Sequence, residues 1–257
     1  MTDIANPFDL TGKIALVTGA SKGIGAAIAQ SLARQGAYVI VTSRKADACA
    51  EVVKTIEADG GRGEAHACHI GDLEAMETKV AEWIDTHGRI DILVNNAAAN
   101  PYFGPIDKTP LDAFNKTVEV NIRGYFYMTN LVGAHMKKEK SGSIINIASV
   151  NGVIPGDMQG VYSITKSAVI AMTKAHAKEW APKGVRVNCL LPGLTKTKFA
   201  SAITDNPEMM KQVLPHIPMG RAAEPEEMTG QVLYWASNAS GYTTGSVVNV
   251  DGGYLLV

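Results

Sequence analysis

At 257 residues, with 24 Lys and Arg against 25 Asp and Glu, the chain is long enough to bury one full-sized core and carries a net charge of -1. That balance, with no long run of like charge, argues against nucleic acid or an anionic membrane as a partner. The three cysteines, Cys49, Cys68 and Cys189, lack CxxC or His-rich spacing, which argues against a disulfide framework or a metal site and fits a reduced, cytoplasmic setting.

In chain order, Met1 to Leu10 lacks the basic start and apolar run of a secretory leader, and no segment reaches membrane-spanning length. Lys13 to Thr18 is a short apolar strand that runs into Gly19, Ala20, Ser21, Lys22, Gly23, Ile24 and Gly25, followed by an alanine-rich helical pattern to Arg34. Strand, glycine turn and helix in this order suit a phosphate: glycines permit a tight turn and close backbone approach, and the helix start offers unpaired N–H groups to the anion. The spacing GxxxGxG differs from the dinucleotide fingerprint GxGxxG.

Tyr38 to Thr42 is the second strand, with Ser43, Arg44 and Lys45 at its end. A carboxylate there would hold a ribose 2′-hydroxyl, whereas arginine accepts a 2′-phosphate. The carboxylate is missing, and Arg44 with Lys22 from the glycine loop supplies two cations instead, so the reading is NADP(H) over NAD(H). Glu64 to Ile70 reads as a third strand, Asp72 as the N-cap of a helix to about Thr86, and Ile90 to Val94 as a fourth strand ending in Asn95, Asn96 and Ala97. A long helical pattern from Leu111 to His135 contains Asn121, and Ser143 to Ala148 forms a fifth strand with Ser149 just past its end, where open α/β sheets bind ligands. Strands alternating with helices predict a parallel sheet with right-handed crossovers.

Tyr162 and Lys166 lie four residues apart, on one face of a helix. A cation beside a phenol favours the phenolate and brings its pKa toward the working range, although the same spacing also occurs on solvated surfaces. Val185 to Leu190 is a sixth strand ending at Pro192 and Gly193, Glu224 to Asn238 a helix, and Val247 to Val250 a last strand. Residues 194–219 interrupt the rhythm and read as a substrate lid, with a packed surface helix as the alternative.

The set Thr18-Gly19 with Gly23 and Gly25, Asn95-Asn96-Ala97, Asn121, Ser149, Tyr162 with Lys166, and Pro192-Gly193 resembles the short-chain dehydrogenase/reductase family in order and spacing across the whole chain. The resemblance implies an α/β fold: a single doubly wound Rossmann-type domain over 1–257, with an about seven-stranded parallel sheet and helices on both faces. It implies that Tyr162 is the proton donor-acceptor, that Ser149 binds the same substrate oxygen, that Lys166 binds the nicotinamide ribose and lowers the Tyr162 pKa, and that Asn121 holds a water linking Lys166 to solvent.

NADP(H) would contact Gly19, Ser21, Lys22, Gly23, Ile24, Gly25, Ser43, Arg44, Lys45, His69, Ile70, Asn95, Ala97, Tyr162, Lys166, Pro192, Gly193, Leu194 and Thr197. His69 departs from the family, which often has an acid or amide there, and is equally readable as a solvated or core histidine; Ala98 stands where glycine is usual. The substrate, a small carbonyl or alcohol, would meet Pro101, Phe103, Ser149, Asn151, Tyr162 and Phe199. The resemblance points to NADP(H)-dependent carbonyl reductases and to a homotetramer. The alternatives are a 3-oxoacyl thioester reductase, toward which Lys196 and Lys198 would turn a basic entrance, and a non-catalytic NADP-binding sensor or scaffold. Arg44→Ala is expected to weaken NADPH binding far more than NADH binding in equilibrium titrations; equal losses would remove the 2′-phosphate assignment.

Overall fold

The computed structural model describes residues 6–256. Seven strands, β1 (Ile14–Thr18), β2 (Tyr38–Ser43), β3 (Arg62–Ala67), β4 (Ile92–Asn95), β5 (Gly142–Ile147), β6 (Val185–Pro192) and β7 (Val247–Val250), form one sheet in the order β3-β2-β1-β4-β5-β6-β7. Every pairing is parallel. The central strands are buried along nearly their whole length because helices cover both faces of the sheet. On one face, α1 (Gly23–Arg34), α2 (Ala46–Ala58) and α9 (Thr229–Ala236) bury Ile28, Leu32, Val53 and Trp235. On the other, α3 (Leu73–His87), α5 (Tyr125–Glu139) and α6 (Gly160–Trp180) bury Met76, Trp83, Met128, Val132 and Trp180. Strand order reverses between β1 and β4, and the crevice at the carboxyl ends of those strands is where such sheets take ligands.

Asp72 caps α3 as its sequence position predicts, accepting the Ala75 N–H at 3.0 Å. Three boundaries differ from the sequence expectation. Strand β3 begins and ends earlier than Glu64 to Ile70, because the strand it pairs with, β2, runs from Tyr38 opposite Arg62 to Ser43 opposite Ala67. Beyond that register the chain turns, and His69 Nδ1 accepts the Gly71 N–H at 2.8 Å. The helix expected over Leu111 to His135 is α4 (Leu111–Val118), a π turn over Glu119–Gly124, and α5. The helix expected over Glu224 to Asn238 is a 3₁₀ turn over Pro225–Met228 followed by the shorter α9, which ends where Ser237 becomes extended and accepts the Ala239 N–H. Residues 194–219 hold two short helices, α7 (Ser201–Thr204) and α8 (Pro207–Val213), the latter capped by the Asn206 side chain.

Gly19 ends β1 at φ +64°, and a Cβ there would lie 2.6 Å from the Ala97 Cα. Both the left-handed backbone and the close approach of the β4 end exclude a side chain. Gly19→Ala is therefore expected to lower unfolding stability by about 2–3 kcal/mol, measured by urea denaturation. A wild-type midpoint would show that the β1 and β4 ends can part without cost.

Candidate active site

The glycine loop is assembled from both sides of the crevice. Thr18 Oγ1 accepts the main-chain N–H groups of Asn96 (3.0 Å) and Ala97 (3.3 Å), and the Asn96 side chain donates to the carbonyls of Thr18 and Gly19, each at 3.0 Å. Ala20 N–H donates to Thr42 O at 2.9 Å, fixing the loop to the end of β2 where Ser43, Arg44 and Lys45 emerge. Lys22 precedes α1 in an extended conformation, and no side chain caps that helix, so the N–H groups of its first turn point into the crevice without a side-chain partner. Gly23, at φ +56°, leaves room for Thr197, whose Cγ2 would sit 3.0 Å from a Cβ at that position. The turn after β6 thus reaches across the sheet to the glycine loop. This is a cradle for an anion built mainly from backbone, and it fits a dinucleotide pyrophosphate.

The outer end of the crevice carries Lys22, Arg44 and Lys45, all exposed. Ser43 Oγ is engaged with the main chain of Lys45 and with Cys49 Sγ at 3.1 Å, so it shapes the turn that presents Arg44. His69 is half-buried near Arg44; burial first, then Lys116, holds its imidazole below the usual range, in keeping with an Nδ1 that accepts a hydrogen bond. Ile70 is buried against the second core cluster. Asn95, by contrast, turns its side chain into the core, where Nδ2 donates to Thr129 Oγ1 and Asn146 Oδ1, each at 2.9 Å. Any contact it makes in the crevice comes from its main chain.

Ser149, Tyr162 and Lys166 come together under the carboxyl ends of β5 and β6. All three are buried, with Lys166 at 1% exposure. Ser149 Oγ accepts the Asn151 N–H at 3.1 Å, and the Phe199 ring lies 5.7 Å from the Tyr162 ring, which brings the chain after β6 against the phenol. Lys166 Nζ donates to the Ile147 carbonyl at 2.7 Å. Both amide N–H groups of Asn121 are spent, Nδ2 donating to Ala99 O and to Thr165 Oγ1, each at 3.0 Å, and its Oδ1 accepts the Ala99 N–H at 2.8 Å. Asn121 therefore joins the π turn, the chain leaving β4 and the helix that carries Tyr162 and Lys166.

The electrostatics correct one expectation. Instead of being lowered, the Tyr162 phenol is pushed up to about 12 by burial, with the Ser149 hydroxyl pulling the other way. Burial also brings Lys166 down to about 8. The Lys166 Nζ, 5.5 Å from the Tyr162 ring centroid, is directed at Ile147 O and not at the phenol oxygen, so burial dominates the phenol. The phenol is consequently a proton carrier at neutral pH.

Around the mouth, Pro101, Phe103 and Phe199 are exposed, and Asn151 is half-buried with Nδ2 donating to Gln159 Oε1 at 3.3 Å. The chain after β4 is tied to the one before α6 by Gly104 N–H to Met158 O at 2.9 Å. Lys196, one of the two cations expected at a basic entrance, is ion-paired with Glu224, while Lys198 is exposed. An open cleft of about 540 Å³ is lined by Thr197, Lys198, Ser201, Asp205 and Met210, and none of the trio lines it. No group of three or more His, Cys, Asp or Glu among the described residues could hold a metal. Sequence reading gives no role to Thr18, which it names only as part of the Thr18-Gly19 motif, and misses Thr165 and Tyr125: a short hydroxyl signalled only by adjacency to Lys166, and a phenol four positions after Asn121.

A family model described as Enoyl-(Acyl carrier protein) reductase matches residues 19–255. Human Dehydrogenase/reductase SDR family member 4 is 38% identical over 244 residues, covering 95% of this chain and 88% of the relative. The chain belongs to the short-chain dehydrogenase/reductase family. Among solved structures of short-chain dehydrogenase/reductases, one from Mycobacterium marinum is 36% identical with a TM-score of 0.91, covering 96% of this chain and 97% of the other. A gluconate 5-dehydrogenase from Burkholderia cenocepacia in complex with NADP and tartrate is 30% identical with a TM-score of 0.94, covering 98% of each chain.

The depressed lysine carries a stability signature. An unfolded lysine keeps its proton up to about 10.5, whereas folded Lys166 releases it from about 8 upward. Between those values the unfolded chain binds more protons, so the cost of burying the ammonium is full below about 8 and disappears as pH rises through the window. Lys166→Met is expected to raise the melting temperature at pH 7 and to lose that advantage by pH ~10.5, followed by calorimetry. A pH-independent difference would contradict the buried cation.

Proposed function

We propose that this chain is an NADP(H)-dependent oxidoreductase that interconverts a ketone or aldehyde and an alcohol, with Tyr162 as acid and base. The observation that carries the reading is the buried Ser149, Tyr162 and Lys166 trio at the strand ends, with Phe199 against the phenol ring and an uncapped helix start in the same crevice. The bound cofactor would supply the hydride at its nicotinamide ring. Ser149 Oγ would donate to the substrate oxygen as charge develops there, and Tyr162 would deliver the proton to the same atom in reduction and remove it in oxidation. A phenol pushed up to about 12 is held protonated, the state that reduction requires. Lys166, with two N–H groups beyond the one given to Ile147, would bind the ribose and favour the phenolate left after transfer. Because the Asn121 amide is committed to Ala99 and Thr165, a water linking Lys166 to solvent would sit on the main chain of the π turn, where the wider ladder frees a carbonyl.

NADP(H) over NAD(H) is supported by Arg44 and Lys22 around a β2 end without a carboxylate, and by the NADP bound to the Burkholderia cenocepacia relative. Exposed Phe103, Val153, Ile154, Met158 and Phe199 favour an apolar or aromatic carbonyl, as in the carbonyl reductase branch. The thioester alternative loses the Lys196 cation to Glu224. We read residues 194–219 as the lid, and exposed Leu111, Phe114, Phe126 and Ile164 as surfaces covered in a homotetramer. No described helix is long and apolar enough to cross a membrane.

Initial rates with NADPH and NADH against an aromatic diketone, a simple aldehyde and an acetoacetyl thioester test the reading. NADPH-preferring turnover on the diketone or aldehyde is expected, with Tyr162→Phe losing at least ~100-fold while still binding NADPH. Tight NADPH binding without turnover on any carbonyl would favour the sensor reading, and thioester preference would move the assignment to the acyl reductases.

A further inference from the structure

Lys166 is a buried cation with no carboxylate among the groups that face it. The groups that face it are Tyr162 on its own helix, Tyr125 on α5 and the Cys189 thiol on β6, which burial pushes up to about 11; β5 contributes the Ile147 carbonyl. Nζ therefore sits between two aromatic rings, 5.3 Å from the Tyr125 centroid and 5.5 Å from that of Tyr162. Both distances are within the range over which a ring face attracts a cation. Tyr125 is fully buried, and its hydroxyl donates to Ile147 O at 3.2 Å, the same oxygen that takes the Lys166 ammonium at 2.7 Å. One carbonyl with two lone pairs thus serves two donors.

We propose that Tyr125 is a positioning residue for Lys166: its ring face holds the ammonium charged, and its hydroxyl keeps the Ile147 carbonyl bonded when the ammonium turns toward the cofactor. In a dry site a lysine stays protonated only where fixed groups replace the lost water. The carbonyl and two rings are those groups here, and of the two rings only Tyr125 is free of proton transfer. The hydroxyl matters at the next stage. An ammonium that leaves Ile147 O for a ribose would strand a buried acceptor unless a second donor stays behind, and Tyr125 Oη is already in place. Position 125 opens α5 immediately after the π turn, so the bend that brings Asn121 to Thr165 also brings Tyr125 to Lys166.

The second half rests on the proposed cofactor role of Lys166, so the charge-holding half is tested in cofactor-free protein. The enzyme is labelled with ¹⁵N-lysine, the Lys166 side-chain resonance is assigned through Lys166→Arg, and its titration midpoint is followed by NMR. Tyr125→Leu, which removes ring and hydroxyl, is expected to lower the midpoint by about half a unit to one unit. Tyr125→Phe, which keeps the ring, is expected to leave it unchanged or raise it. If the leucine variant does not fold, pentafluorophenylalanine at the same position keeps the ring shape, inverts its face potential and should give the same downward shift. An unchanged midpoint without the ring, or an equal fall in Tyr125→Phe, overturns the role of the ring. In a separate titration, Tyr125→Phe is expected to raise the NADPH dissociation constant about 3- to 10-fold. A wild-type constant overturns the role of the hydroxyl, whereas wild-type protein that fails to bind NADPH overturns the cofactor reading and leaves the NMR result standing.

Discussion

A single buried amide, that of Asn121, holds three parts of the site in one frame. It takes both main-chain groups of Ala99, on the chain leaving β4, and it donates to Thr165, which neighbours Lys166 on α6. The π turn that presents it also touches the turn after β3, where Arg123 donates to Gly71 O at 3.3 Å and Gly124 packs against Ile70. Loss of the amide would leave the Ala99 N–H and C=O and the Thr165 hydroxyl without this partner, at about 1–3 kcal/mol for each group that stays away from water. The chain leaving β4, α6 and the turn after β3 are therefore tied together through the π turn.

Burial is the second organising influence, and it works in opposite directions on the two ends of the site. Around Tyr162 and Lys166 it removes water, raising the phenol to about 12 and lowering the ammonium to about 8. Their charge states are then set by neighbours instead of by solvent. At the glycine loop, by contrast, Lys22 and Arg44 remain exposed and the start of α1 carries no side-chain cap, leaving main-chain N–H groups for an anion. A rigid backbone cradle suits a constant anion, while the dry interior suits a proton that has to move.

The parts of this arrangement written in local sequence were legible in it. The apolar strands, the glycine loop, the Asp72 cap and the spacing of Tyr162 and Lys166 each follow from a few adjacent residues. What depends on a distant neighbour was not. The end of β3 is set by where β2 stops, and the π turn by Asn121 finding Ala99 and Thr165. The inward aim of Asn95 depends on Thr129 and Asn146, and the pairing of Lys196 on Glu224. The direction of the Tyr162 shift was misjudged for the same reason: spacing reveals the nearby cation, but only the fold reveals how completely the phenol is removed from water.

The central claim, that this site passes hydride and proton to a carbonyl, is tested most directly by following the label. The enzyme is incubated with NADPH deuterated at the transferable C4 position and the carbonyl it turns over best, and the alcohol is analysed by mass spectrometry and NMR. One deuterium on the carbinol carbon is the predicted result. An alcohol without deuterium at that carbon, or NADPH consumed with no alcohol formed, would contradict it.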